Sequence, residues 1–176
     1  MKQSIPLWQF CGFAASSLGG TLLHYLYDWS NQSIFAAPFS GVNESTWEHM
    51  KLLFFPLFLF ALVQSRFFRE RRDFWAVKLA GTAAGLLLIP VLFYTYNGAF
   101  GRSPDWLNIA IFFVSAAVVY LLETRLFRRE NTLSFSPTPA FVLLCLIGAA
   151  FVVFTFAAPQ IPLFEDPLTG TYGVIR

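Results

Sequence analysis

Five long apolar stretches, parted by short polar segments, dominate this 176-residue chain and restrict it to one broad architecture. They cover residues 7–27, 46–64, 74–96, 106–122 and 138–158. About 20 mainly apolar residues are needed to cross a bilayer as a helix. In hydrocarbon every backbone N–H and C=O must be satisfied within the spanning segment, which selects helices here. Composition agrees, since 56% of residues are hydrophobic and only 12% charged, against about 25% charged in a soluble domain. A soluble globule, a disordered tail and a nucleic-acid binder are thereby excluded. The sequence predicts an all-α polytopic bundle of about five spans over residues 1–158, with an irregular tail over 159–176.

Local signals support the divisions. Ser103-Pro104-Asp105 places a cap, a proline and an acid before the fourth stretch, and Ser136-Pro137-Thr138-Pro139 acts similarly before the fifth. Pro56 and Pro90 fall mid-span, where membrane helices tolerate kinks. Gly81 and Gly85 form a G-x-x-x-G pattern, which permits close helix approach. The first apolar run extends past the small Ala14–Ser17 patch to Tyr27, too long for a signal-peptide core, so a retained first helix is expected. Cys11 and Cys145 sit inside apolar runs without metal-ligand spacing and read as small hydrophobes.

Orientation follows from the basic residues. Lys2, Arg66, Arg69, Arg71, Arg72, Arg125, Arg128 and Arg129 fall on one side of the predicted topology. Only Arg102 and Arg176 fall on the other, while Lys51 and Lys78 lie within spans. The positive-inside rule therefore predicts a cytoplasmic N-terminus and an extracytoplasmic C-terminus in the cell membrane.

Polar groups inside a span are costly and point to function by default. Ser17, Gly20, Thr21, His24 and Asp28 share one stripe of the first span, and the i,i+4 spacing sets His24 near Asp28. A second cluster runs Asn43-Glu44-Ser45-Thr46-Trp47-Glu48-His49-Met50-Lys51. A helix starting near Asn43 would put Glu44, Trp47, Glu48 and Lys51 on one face, with His49 turned away. Structural roles compete with functional ones here. Ser45 and Glu48 match a capping box, Trp47 suits an interfacial belt, and Lys51 suits snorkelling. His24, Asp28, Asn43, Glu44, Trp47, Glu48, His49, Lys51 and Arg102 are the candidate ligand-binding residues. Spans one and two should face each other, with His24 beside the Glu44/Glu48 face.

The tail is rich in proline and glycine, which preclude a helix, yet too apolar for a free end. It is expected to pack over the bundle mouth through Leu163, Phe164 and Tyr172.

Residues 41–51 read G-V-N-E-S-T-W-E-H-M-K, and the tail reads P-L-F-E-D-P-L-T-G-T-Y-G. In these two segments the chain resembles a family of small bacterial multi-pass membrane proteins of unknown function, with G-V-N-E-S-x-W-E-H-x-K and P-L-F-x-D-P-x-T-G-x-Y-G as its motifs. The resemblance implies the membrane class and no activity.

Three functions compete. A metal-dependent hydrolase would use His24, Asp28, Glu48 and His49 as ligands of a divalent ion such as zinc, with an open position for water. No H-x-x-x-H or H-E-x-x-H spacing accompanies them. A binding or transport component would hold a small polar solute or lipid headgroup, with Lys51 and Arg102 facing anions, and a homodimer would restore the symmetry that transporters often show. A scaffold subunit would use the cluster only to dock a partner.

Overall fold

The computed structural model describes residues 4–129 and 136–174. Lys2 and Arg176, both used in the topology prediction, lie outside them. Five helices follow one another: α1 (Ile5–Trp29), α2 (Thr46–Ser65), α3 (Phe74–Phe100), α4 (Asp105–Arg128) and α5 (Pro137–Phe156). A short 3-10 turn, Pro162–Phe164, lies in the tail. Among the described residues there is no strand, only an isolated bridge between Glu165 and Tyr172. Helices α2, α3, α4 and α5 are long and apolar enough to cross a membrane. Helix α1 has the length, but Gln9, Ser16, Ser17, Thr21, His24 and Asp28 dilute its hydropathy.

The helices fit together through small residues on one side of a contact and large ones on the other. Gly81 and Gly85 of α3 lie against α4, where an added Cβ at Gly85 would meet Val119 at 2.3 Å and one at Gly81 would meet Glu123 at 2.7 Å. The G-x-x-x-G pattern thus admits α4 rather than a partner chain. Gly20 of α1 similarly leaves room for the Phe112 ring of α4, 2.4 Å from an added Cβ. The main core joins Leu52, Leu53 and Leu57 of α2, Ile89 of α3, and Ile111, Phe112, Ala116, Val119 and Tyr120 of α4. Helix α5 closes the other side through Phe54, Leu86, Leu144 and Phe151.

The connections gather at two ends. One end carries Arg66, Arg69, Arg71, Arg72, Arg125, Arg128 and Arg129. There Arg71 clamps the α2–α3 turn to the end of α4, donating to the carbonyls of Phe127 (3.0 Å) and Arg129 (2.9 Å) and pairing with Asp73. The other end holds the long α1–α2 connection, the α3–α4 turn and the tail, and the candidate site lies there.

The tail is bound to this second end. Phe164 is buried against Trp47 and Phe154. Tyr94 of α3 donates its hydroxyl to the Pro162 carbonyl (2.9 Å), and Val174 N–H bonds to the Thr155 carbonyl (3.2 Å). Asp166 closes a turn by accepting from Leu168 N–H and from the Thr169 hydroxyl. Leu163 is half-buried, as is Tyr172, whose hydroxyl donates to Glu165 at 3.1 Å.

Candidate functional site

The site begins with the local folding of residues 41–49. Asn43 accepts a hydrogen bond on its side-chain oxygen from Ser45 N–H (3.0 Å), and Ser45 caps α2 by accepting from Glu48 N–H (3.3 Å). Helix α2 therefore starts at Thr46, where the second apolar stretch begins, and not near Asn43. Glu44 is not on a helix face at all. It stands on the turn just before the cap, which frees its carboxylate to meet both histidines.

Glu44 sits between the two imidazoles. One of its oxygens is 3.7 Å from His24 Nε2 and the other 3.5 Å from His49 Nε2. The two rings are 5.9 Å apart between centroids. His49 is further fixed at Nδ1, which lies 2.9 Å from the Ser45 carbonyl oxygen. A carbonyl only accepts, so Nδ1 carries the hydrogen and Nε2 is the atom turned toward Glu44.

These three residues form part of the wall of a cavity of about 470 Å³. Arg102, Asp105, Asn97, Ser103 and Asn108 supply further polar groups, and Pro167 and Leu168 of the tail reach its edge. Its apolar wall is Leu52, Phe93, Ile109, Phe112 and Phe113. Ile109 and Phe113 are also exposed, so the wall continues onto the outside of α4. A smaller recess of about 20 Å³ beside Glu44, His49 and Asn108 has room for one bound water.

The remaining predicted residues turn elsewhere. Lys51 is fully buried and pairs with Glu48 at 2.5 Å. It also donates to the Ala37 carbonyl (2.9 Å) and the Thr155 hydroxyl (2.8 Å), so all three ammonium protons are used. It neither snorkels nor faces the cavity. Glu48 does not complete a reciprocal capping box, because its carboxylate accepts from Val42 N–H (3.1 Å) and from Lys51. Trp47 stacks into Phe151 and Phe164, and Asn43 donates to the Gly173 carbonyl at 3.2 Å. Asn43, Trp47, Glu48 and Lys51 thus tie the α1–α2 connection, α5 and the tail together. Asp28 is exposed and forms no ion pair among the described residues, so the expected His24–Asp28 contact is absent.

The four candidate zinc ligands do not assemble. Glu48 is committed to Lys51 and Asp28 lies apart. Among the described residues no group of three or more His, Cys, Asp or Glu side chains is placed to hold a metal ion.

A second polar centre, at the arginine end, escaped the sequence reading. Lys78 of α3 and Glu123 of α4 are buried together, 2.6 Å apart. The Lys78 ammonium also lies over the rings of Tyr120 (5.5 Å), Phe74 (5.8 Å) and Phe127 (6.0 Å). Gln9 of α1 lies beside the Glu123 carboxylate, and Ser16 hydrogen-bonds the Tyr120 hydroxyl at 2.7 Å. The side-chain amide of Gln64 in α2 is fully buried without a hydrogen-bond partner among the described residues. The fourth apolar stretch, 106–122, stops one residue short of Glu123, and Lys78 alone gives no hint of its partner.

Fold and site together define a helical protein with membrane-length helices and a cavity of mixed polar and apolar lining at one end. Residues 1–174 match the profile of a family of unknown function, DUF6512, and the chain belongs to that family. No curated protein and no solved structure matches it.

Proposed function

We propose that the protein is a multi-pass membrane protein that binds an amphiphile, the polar head at His24, Glu44, His49 and Arg102 and the apolar part along α4. The observation that carries this reading is the mixed lining of the cavity, in which ionisable side chains stand among large apolar ones. Its polar side chains share the wall with Leu52, Phe93, Ile109, Phe112 and Phe113, and of these Ile109 and Phe113 are also exposed on the surface of α4. Binding pockets are mostly apolar with a few convergent polar groups, and a free polar solute has no use for so many apolar side chains in the wall. Neighbouring the membrane, the apolar wall favours an acyl or similar chain by about 0.8 kcal/mol per buried CH₂.

In this reading α1 is a fifth span, shielded by its neighbours on the side that carries His24. The N-terminus is cytoplasmic and the cavity opens at the extracytoplasmic leaflet of a bacterial cell membrane, with the arginines at the opposite end supporting that orientation. Native mass spectrometry of protein released from lipid nanodiscs tests this. A bound lipid should survive detergent removal in the natural protein and be lost in Ile109→Trp and His49→Ala variants of unchanged melting temperature. No retained lipid, or equal retention by both variants, would overturn it.

A further inference from the structure

We infer that the head bound in this cavity is zwitterionic, a phosphodiester joined to an ammonium group; this deepens the amphiphile reading and rests on it. Arg102 and Asp105 both line the cavity, and among the described residues neither takes part in an ion pair. They stand three residues apart with opposite charge and leave each other unneutralised. The Asn108 amide is oriented by Ser103, whose hydroxyl donates to Asn108 Oδ1 at 2.8 Å. Its NH₂ group is therefore turned away from Ser103, with no hydrogen bond taken up among the described residues. Ser103 is itself held by Asn97, whose Oδ1 accepts Ser103 N–H at 2.7 Å.

Unspent donors are thus Arg102 and Asn108, and a guanidinium is the side chain best suited to two phosphate oxygens. Unspent anionic capacity is Asp105 together with Glu44, whose contacts with the histidines at 3.5 and 3.7 Å are looser than hydrogen bonds. A head of one sign would leave the other set facing it unpaired or repelling it. A phosphodiester carrying an ammonium answers both, and being neutral overall it enters a partly apolar cavity at lower desolvation cost than an ion. The ammonium of such a head has up to three donors for two carboxylates.

The test uses full-length protein in detergent with short-chain phosphatidylethanolamine, phosphatidylglycerol and diacylglycerol of equal chain length, and free phosphoethanolamine. Binding by calorimetry should favour phosphatidylethanolamine at least about tenfold over each of the others. Arg102→Gln should lower that affinity about tenfold. The double variant Glu44→Gln/Asp105→Asn should erase the preference over phosphatidylglycerol while binding persists. Preference for phosphatidylglycerol, or equal binding of diacylglycerol, overturns the zwitterionic head and leaves the amphiphile reading standing. Binding of free phosphoethanolamine alone overturns both, as does failure of every lipid to bind.

Discussion

Lys51 and Glu48 show how a residue that reads as a ligand becomes a fastener. In a chain with so few charges, a lysine three residues after a glutamate near a helix start invites a functional role. Burial reverses that reading. A charge without water has to be paired and hydrogen-bonded, and Lys51 has Glu48, Ala37 and Thr155 as its three acceptors. The pair therefore pins a loop and α5 to α2. Removing one partner leaves the other charged and buried, which costs about 3 kcal/mol or more. Lys51→Met should lower unfolding stability by that order in detergent, and Glu48→Leu added to Lys51→Met should restore most of it. A Lys51→Met protein that melts like the natural one would contradict this role. The Lys78 and Glu123 pair should behave alike, with Glu123→Leu destabilising and Lys78→Met/Glu123→Leu recovering, because among the described residues Lys78 has ring faces but no second carboxylate partner.

Between helices, close approach decides what is tolerated. Gly85 lies where a side chain would strike Val119, whereas Gly98 on the same helix has nothing within 4 Å. Gly85→Leu should therefore prevent assembly of α3 on α4, while Gly98→Leu should leave the melting temperature within a few degrees; size-exclusion profiles and thermal scans of the two variants decide it. The tail belongs to this scale too. With Phe164 buried and Val174 bonded to Thr155, limited proteolysis of folded protein should spare residues after Pro159. Rapid loss of the tail would count against its ordering. The helices were legible in the sequence because hydrophobic length needs no partner to be read. The cavity was legible in part: His24, His49, Glu44 and Arg102 were named, but their grouping depended on Glu44 leaving the helix. That in turn depended on Asn43 and Ser45 forming the turn and cap. Periodicity assumes a continuous helix, so it placed Glu44 with Lys51 and His49 on the far side. The Lys78 and Glu123 pair was hidden for a different reason, since a partner 45 residues away is set by tertiary register alone.

For the whole molecule, the distribution of charge and the shape of the cavity make a single account. Arginines at one end and a polar-rimmed cavity at the other fit a bundle inserted with its arginine end in the cytoplasm. Reporter fusions after Arg72 and Arg129 should report cytoplasmic placement, and fusions after Arg102 and Arg176 extracytoplasmic placement. A cytoplasmic signal after Arg102 would invert the bundle and move the cavity to the other leaflet. The proposed amphiphile lies in the cavity along α4. Photolabelling tests it most directly, using a phospholipid with a photoreactive acyl chain in nanodiscs, followed by mapping of the labelled residues. The account predicts label on Ile109, Phe112 and Phe113 that excess unlabelled phospholipid competes away, against uncompeted surface label at exposed positions such as Leu121 and Leu146. Label confined to Leu121, Leu146 and similar outer positions, or label on Ile109, Phe112 and Phe113 that competitor leaves unchanged, would contradict it.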